Sequence, residues 1–370
     1  MDLYRSLIHI LLFFGGAFVT SIIINAFFLR FSRTLGIKYK NDLEVRWSNT
    51  SKPSMGGISF YISCLMSFMF YAIIFGETDV FQNKELLGFF TIITIAFLLG
   101  LSDDAYNIRP ILKLIVQIGC GVVLIFTDNQ IDLFQIEWLN NGLTVFWVVL
   151  IMNSINILDN MDFIATVSSI YIILTMIGMS LPFFCKDNVD FFLLMAILGS
   201  LSGFLIFNWN PSKMFMGDTV SQFLGVFLAY FSIKLLWNNG VNEGDYSILS
   251  NLTLVALTFT VPLVDTTFVF VRRVLRGDSP MKGGKDHTMH TLFYKGLTNR
   301  QVGFVFLLFG LASCLLALNV AKFIPVDSLV LILMWLYPIL LLASAFILAD
   351  GNNETDQSLK DDQETGNRTT

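Results

Sequence analysis

The chain is dominated by apolar runs that are long enough to cross a membrane. Most of its 370 residues fall into runs of about 17 to 25 residues, and about 20 apolar residues in a helix span a hydrocarbon core of about 30 Å. Hydrophobic residues make up 55% of the chain and charged residues only 14%. A soluble domain has no means of burying that much apolar surface. We therefore predict an all-α integral membrane protein.

The runs and the breaks between them predict about eleven transmembrane helices. The predicted ranges are 7–29, 56–75, 86–101, 111–127, 143–158, 163–182, 190–208, 219–237, 247–271, 301–320 and 328–349. This arrangement puts eighteen of the 23 Lys and Arg residues on one side, and basic residues are retained in cytoplasmic loops. We therefore predict an external N-terminus and a cytoplasmic C-terminus. The first run also admits a signal-peptide interpretation. However, this run is longer than the apolar region of a signal peptide, and Arg30 follows it at once.

The chain divides into a transmembrane domain and a short tail. Residues 1–349 hold all the apolar runs, whereas 350–370 read "DGNNETDQSLKDDQETGNRTT" and carry almost no apolar side chains. Such a composition predicts a disordered polar tail on the cytoplasmic side. The four cysteines are scattered without paired spacing, which argues against a disulfide framework or a zinc site.

Aspartates gather at helix ends on the predicted cytoplasmic side. They are Asp103, Asp104, Asp159, Asp162 and Asp218. Any one of them is explained as a solvated residue at a helix end, but five on one face repel one another unless cations lie among them. Carboxylate oxygens suit Mg²⁺ or Mn²⁺ better than zinc, which prefers His and Cys. The sequence therefore predicts a hard divalent metal ion on this face.

The segment "NSINILDNMD" places polar side chains on one side of a helix. Asn153, Asn156 and Asp159 recur every third residue, so they can contact one ligand together. Amides beside carboxylates are typical of groups that bind a sugar, a base or metal-bound water. The alternative is that Asp159 or Asp162 caps the next helix.

Basic residues on the same side indicate an anion. Lys113 lies inside an apolar run, where a charge is costly unless it reaches the interface or meets an anion. Arg272, Arg273 and both histidines of "DHTMH", His287 and His290, lie in the last predicted cytoplasmic segment. Membrane anchoring explains many such arginines. Together with a metal, the cluster favours a phosphate or nucleotide ligand.

Four motifs, in order and on one face, resemble a known family. They are "DDAYNIRPILK", "NSINILDNMD", "FNWNPSKMFMGD" and "DHTMH". The chain resembles the polyprenyl-phosphate N-acetylhexosamine-1-phosphate transferases from about Arg46 to Arg300, with the eleven predicted spans in addition. The resemblance implies that residues 1–349 form a catalytic domain.

The resemblance implies a reaction and a location. The reaction is transfer of a sugar-1-phosphate, with UDP-GlcNAc the preferred donor, from a UDP-sugar to undecaprenyl phosphate, with release of UMP and a requirement for Mg²⁺ or Mn²⁺. The location is the cytoplasmic face of a bacterial inner membrane. The partners are the two substrates and the lipid bilayer, without nucleic acid. The identity of the hexosamine and the oligomeric state stay open, with a homodimer as one option.

The resemblance also implies roles for the polar residues. Asp103 is expected to deprotonate the lipid phosphate, Asp104 to shape the charge environment, and Asp218, with Asp159, to bind the metal. The residues expected to bind the nucleotide-sugar or its phosphates are Lys113, Asn153, Asn156, Asp159, Asp162, Asn208, Arg272, Arg273, His287 and His290.

The chain departs from the family pattern at several positions. Asn160 and Phe163 replace glycines that many members have after each Asp of "NSINILDNMD", Val220 replaces another, and Thr291 stands where a further His is common. A bulky Phe163 is expected to narrow the sugar or base pocket. These changes keep two alternatives open, a secondary transporter with eleven spans and a non-catalytic scaffold descended from the enzyme.

Overall fold

The computed structural model describes residues 2–34, 56–76, 82–180, 188–239, 248–279, 284, 286–322 and 328–349. The predicted tail 350–370 lies outside these residues, as do Arg46 and most of the segment that follows it. Within the described residues every regular element is helical and no strand occurs. The helices and their lengths confirm the predicted all-α membrane protein.

Thirteen helices follow one another in the described part of the chain. They are α1 (Asp2–Thr34), α2 (Gly57–Phe75), α3 (Lys84–Tyr106), α4 (Pro110–Phe126), α5 (Glu137–Leu158), α6 (Ile164–Ser180), α7 (Val189–Asn208), α8 (Gly217–Ser232), α9 (Ile248–Thr258), α10 (Thr260–Arg276), α11 (Thr288–Tyr294), α12 (Asn299–Lys322) and α13, which begins as Ser328–Met334 and belongs to the span Leu329–Ala349. A π-helical turn, Ile233–Trp237, extends α8.

Eight of these helices are long and apolar enough to cross a membrane. The helices α4 and α6 match predicted spans but have only 17 residues each. The predicted span 247–271 is not one straight helix, because α9 and α10 meet at an angle of 80°. The reason is Pro262, which lacks the N–H that would bond to the carbonyl of Thr258 and so ends the helical ladder there.

The helix α8 forms the centre of the bundle. In its apolar stretch 89% of the residues are buried, against 11% in α13 at the periphery. It packs against α3 on one side and α5 on the other. Small residues permit these contacts, because a Cβ on Gly100 of α3 would lie 2.5 Å from the Thr219 Cα and one on Gly225 would lie 2.6 Å from the Met152 Cα. The close packing brings the ends of three helices together.

The far end of the bundle holds a separate ion-pair network. Lys234 of the π-helical turn contacts Asp190 of α7 at 2.8 Å and Glu85 of α3 at 3.1 Å. This network links three helices at the end opposite to Asp218, which lies at the start of α8. The two ends of α8 therefore differ in kind. At the far end one lysine pairs with two acids, whereas at the near end three aspartates gather around one described ion pair, that of Asp103 with Lys113.

Candidate active site

Three carboxylates converge where α3 ends and α8 begins. Asp103 and Asp104 lie in the last turn of α3, and Asp218 lies in the first turn of α8. The negative charge of Asp218 acts on both of the other two carboxylates. The close approach at Gly100, one turn before Asp103, sets this juxtaposition. The structure therefore concentrates negative charge at one end of the bundle.

Asp103 is the most deeply held of the three. Its side chain is buried, its Oδ1 accepts a hydrogen bond from the Ile108 N–H at 2.8 Å, and its Oδ2 forms an ion pair with Lys113. Lys113 lies in the first turn of α4, so the pair bridges the α3–α4 turn. Asn107, in a left-handed conformation, makes that turn tight. The predicted anionic partner of Lys113 in this structure is thus a protein carboxylate.

Asp104 caps the N-terminus of α8 from a different helix. Its Oδ1 accepts from the Asp218 N–H at 3.0 Å, and its Oδ2 accepts from the Thr219 N–H at 2.9 Å and the Thr219 hydroxyl at 2.5 Å. The N–H groups of a first helical turn have no partner within the helix, and a carboxylate there also meets the positive end of the dipole. Asp104 therefore fixes α3 to α8 at the site.

Two members of the Asn/Asp string reach the start of α8. Asn156 donates to the Asp218 Oδ1 and to the Ser221 hydroxyl, the latter at 2.8 Å. Asp159 accepts from the Gly217 N–H at 3.2 Å. Two of the three residues of the predicted shared face therefore contact the start of α8, at or beside Asp218.

Asn153 lies deeper in the bundle than the rest of the string. It donates to the Gln117 side chain at 2.7 Å, and Gln117 in turn donates to the Gln222 side chain at 3.0 Å. This chain of amides joins α5, α4 and α8 beneath the carboxylates. Asn153 was predicted to bind substrate, but its described contacts support the site from below.

The α5–α6 loop (159–163) and the α7–α8 loop (209–216) are joined by side-chain hydrogen bonds. Asp162 accepts from the Asn210 amide at 3.0 Å and from the Ser212 N–H and hydroxyl at 3.0 and 2.7 Å. Buried Asn208 accepts from the Phe163 N–H at 3.0 Å and the Thr166 hydroxyl at 2.8 Å, and donates to the Met214 carbonyl. Both predicted binding residues hold loops together.

Phe163 occupies a backbone conformation that favours glycine. Its φ is 57°, in the left-handed region that costs most L-residues energy, which gives a physical reason for glycine in many family members. Its ring is buried, stacks on Trp209 with centroids 4.7 Å apart, and fills the space that a side chain on Gly303 of α12 would need. Phe163 therefore packs the loop on α12, and the predicted narrowing of a sugar or base pocket stays a prediction.

The basic segment meets the loops through a histidine. The His287 Nε2 lies 3.0 Å from the Asn160 Nδ2, and its Nδ1 lies 3.1 Å from the Asp265 Oδ2. His290 is buried one turn later, with its ring centroid 5.3 Å from that of His287. The histidine motif therefore contacts the α5–α6 loop directly.

The two predicted arginines differ in environment. Arg273 is buried and forms two hydrogen bonds to Asp286, at 2.8 and 2.6 Å. Burial raises the pKa of Asp286, but the hydrogen bonds and charge of Arg273 lower it more, so the pKa lies below its ordinary value. Arg272 lies 5.6 Å from the centroid of the Phe268 ring. Arg273 thus supports the histidine segment through Asp286, whereas the described contact of Arg272 is within α10.

Several residues of the site were not predicted from the sequence. Asp265, Asn160, Gln117 and Ser221 contact predicted residues, and Gln222 contacts Gln117. The sequence could have indicated Asp265, because an acid within an apolar stretch of a membrane helix requires a partner. The sequence could not indicate Gln117 and Gln222, since their role depends on which helices face each other.

The carboxylate oxygens at the start of α8 are of the kind that a hard divalent ion prefers, but the described residues alone supply too few of them to complete a coordination shell. Within the described ranges no three His, Cys, Asp or Glu side chains form a full metal-binding group. One oxygen of Asp218 accepts from Asn156 and one of Asp159 accepts from Gly217. Mg²⁺ commonly takes one or two carboxylates and completes its shell with phosphate oxygens and water. Asp218 lies in the first turn of α8 and Asp159 contacts Gly217 there, and their role as metal ligands stays a prediction.

Comparisons with known proteins identify relatives of this chain. The sequence profile described as Glycosyl transferase family 4 matches residues 86–236, which include Asp103, Asp104 and Asp218. A probable undecaprenyl-phosphate N-acetylglucosaminyl 1-phosphate transferase of Bacillus subtilis is 29% identical over 69% of this chain and 71% of its own length.

Two streptococcal relatives have a related name. A phospho-N-acetylmuramoyl-pentapeptide-transferase of Streptococcus uberis is 30% identical, covering 56% of this chain and 67% of the relative. The protein of the same name from Streptococcus agalactiae is 27% identical over 59% of this chain and 71% of its own length. The chain belongs to the polyprenyl-phosphate N-acetylhexosamine-1-phosphate transferases, within glycosyl transferase family 4.

Proposed function

We propose that this protein transfers GlcNAc-1-phosphate from UDP-GlcNAc to undecaprenyl phosphate. An oxygen of the lipid phosphate attacks the sugar-bearing phosphorus of the donor, the bond from that phosphorus to the bridging oxygen breaks, and UMP leaves. The observation that carries the proposal is the convergence of Asp103, Asp104 and Asp218 at one end of the bundle. The name of the Bacillus subtilis relative supports the choice of sugar.

Positioning and charge neutralisation are the main needs of this chemistry. Asp218 and Asp159 would hold Mg²⁺ or Mn²⁺, which supplies positive charge to the phosphate oxygens when bound. Asn156 fixes the Asp218 carboxylate through its hydrogen bond. Asp104 acts through its cap on α8, because that cap sets where Asp218 lies.

Asp103 and Lys113 are assigned to the acceptor lipid. Lys113 is partly exposed, with 23% of its side chain accessible, whereas Asp103 is buried. We assign Lys113 to the incoming lipid phosphate and Asp103 to the proton that this phosphate carries when it is a monoanion. The exchange of a carboxylate for a phosphate at Lys113 keeps the ammonium group paired throughout.

The remaining predicted residues bind the UDP-sugar or hold the site together. His287 and His290 lie beside the α5–α6 loop and are assigned to the nucleotide-sugar, with Arg272 and Arg273 behind them. Asn153, Asp162 and Asn208 act by holding helices and loops in place, as their internal hydrogen bonds support.

The proposed setting is the cytoplasmic face of a bacterial inner membrane. Eleven spans result if α4, α6 and the bent pair α9–α10 cross the membrane with the eight longer helices. An odd count puts the termini on opposite sides, and the position of the basic loops favours an external N-terminus and a cytoplasmic C-terminus. We propose residues 1–349 as the catalytic domain and 350–370 as a polar tail, and a homodimer as the assembly to test.

The experiment is a transfer assay in detergent, where no compartment exists for transport. Purified protein is given undecaprenyl phosphate, Mg²⁺ and a panel of UDP-sugars, and both UMP and the lipid product are measured. We expect UMP and a GlcNAc-diphospholipid of matching amount from UDP-GlcNAc. Release of UMP with another UDP-hexosamine alone would replace the proposed sugar, and no release with any donor would favour a transporter or a scaffold.

A further inference from the structure

His287 lies between a buried acid and an amide. The Asp265 carboxylate is 1% exposed and His287 is 2% exposed. The Asp265 Oδ1 accepts from the Thr288 N–H at 2.8 Å and from the Thr288 hydroxyl at 2.5 Å, so its Oδ2 is the oxygen that faces the His287 Nδ1. The opposite ring nitrogen, Nε2, faces the side chain of Asn160.

The carbonyl of Ile157 determines which end of the Asn160 amide faces His287. The Asn160 Nδ2 lies 2.7 Å from this carbonyl oxygen, which only accepts hydrogen bonds. An amide turned the other way would place two oxygens in contact. The group 3.0 Å from the His287 Nε2 is therefore the NH₂ end of the amide, a donor.

The protonation state of His287 follows from its two neighbours. Because Asn160 donates to Nε2, this nitrogen must carry a lone pair, and the ring proton must lie on Nδ1. The Nδ1–H then donates to Asp265, whose carboxylate only accepts. An imidazolium would place two donors face to face at Nε2.

We propose that Asp265 is a positioning residue that holds His287 as a neutral acceptor at Nε2, and that Asn160 occupies this acceptor until a donor group of the nucleotide-sugar takes its place. The proposal rests on the proposed function and specifies one of its contacts. The His287 Nε2 would accept a hydrogen bond from a hydroxyl or an amide N–H of the substrate, because its lone pair repels a phosphate oxygen.

The variant Asp265→Asn tests the tautomer. Its amide oxygen is expected to keep the two donors of Thr288, which turns the new NH₂ group toward His287. Nδ1 must then accept, and the ring proton moves to Nε2, where it meets the Asn160 amide. We expect the KM for the UDP-sugar to rise about 10- to 100-fold, as for loss of residues that orient a histidine ligand, with a smaller change in kcat.

The measurement is a ¹⁵N spectrum of the full-length protein labelled at histidine, at pH 7. Only three histidines are present, so single His→Gln variants assign the resonances of His9, His287 and His290. We expect the wild-type His287 to show an unprotonated Nε2 and a protonated Nδ1, and Asp265→Asn to show the reverse. Thr288→Val is the matched control, because it removes one donor to Asp265 but leaves the His287 contact, and it should keep the wild-type tautomer.

Two outcomes would overturn the proposal. One is a wild-type His287 that is protonated at Nε2, and the other is an Asp265→Asn protein that folds but retains the Nδ1–H tautomer. If the variant does not fold, the wild-type spectrum decides alone. The spectrum needs no turnover, so a failure of the transfer assay with the expected tautomer would count against the proposed function and not against the arrangement of Asp265, His287 and Asn160.

Discussion

Asp218 is the residue on which the proposed reaction depends most. The Asn156 amide donates to its carboxylate, and the Asp104 carboxylate accepts from its backbone N–H at the start of α8. Replacement by asparagine keeps the size of the side chain but removes its charge. The substitution should therefore lower the rate of transfer and leave the packing of α8 unchanged.

We expect Asp218→Asn to lower the rate of transfer by roughly 100-fold or more, in line with loss of one preorganised electrostatic group. Its melting temperature in detergent should match that of the wild type. Asp128→Asn is the matched control, because Asp128 is exposed and paired with Lys84 beyond the far end of α4. Full activity of Asp218→Asn would contradict the role assigned to it.

The pair Arg273–Asp286 makes a pH-dependent contribution to stability. Since the pKa of Asp286 is lower in the folded protein, this contribution is complete above the unfolded-state value near 3.8 and is lost as the pH falls through the folded-state pKa. The melting temperature of Asp286→Asn should lie below the wild type by a constant amount from pH 7 to about pH 5. The gap should shrink below about pH 4, and a gap that widens there would contradict the assignment.

At the scale of elements, contact between α3 and α8 sets the distance between the carboxylates. A side chain on Gly100 would meet the backbone of Thr219, which has no flexible end to move aside. Gly100→Ala should push the end of α3 away from α8. A displacement of about 1 Å at an active site can cost roughly 100-fold in rate, and overpacking costs about 1–3 kcal/mol in stability.

The control for Gly100→Ala is Gly119→Ala in α4. In the described part of the chain, no atom beyond the neighbouring backbone of α4 lies within 4 Å of a Cβ built on Gly119, and alanine favours a helix more than glycine does. Gly119→Ala should therefore keep activity and melting temperature or raise the latter. Transfer rates and melting curves of both variants check the prediction, and equal activity of the two would show that close packing at Gly100 is not needed.

The sequence predicted the helices well because the length of an apolar run determines whether it can cross a membrane. It did not predict the 80° bend between α9 and α10, although Pro262 marks it, because a proline is also tolerated inside a transmembrane helix that continues past it. It predicted which acids gather, because their loops share a face. It did not predict that Asp104 caps α8 or that Asn208 joins two loops, because such contacts depend on which helices are neighbours.

At the scale of the whole molecule, the proposed topology places the carboxylates and the far ion-pair network on opposite sides of the membrane. In a cysteine-free background, Gln135→Cys lies before α5 at the far end and Asp278→Cys lies after α10, both at exposed positions. A membrane-impermeant thiol reagent applied to intact spheroplasts should label Gln135→Cys and not Asp278→Cys. Lysis should expose both, and labelling of Asp278→Cys before lysis would contradict a cytoplasmic site.

The central claim is that the carboxylates of Asp103, Asp104 and Asp218 promote transfer of a phosphoryl group together with its sugar. The most direct test follows the two phosphates of UDP-GlcNAc separately, with ³²P in the phosphate next to the sugar in one sample and next to the uridine in the other. We predict that the first label enters the lipid fraction and the second remains in water as UMP. If the label next to the sugar stayed in water as UDP while the sugar entered the lipid, or if neither entered it, the account would be contradicted.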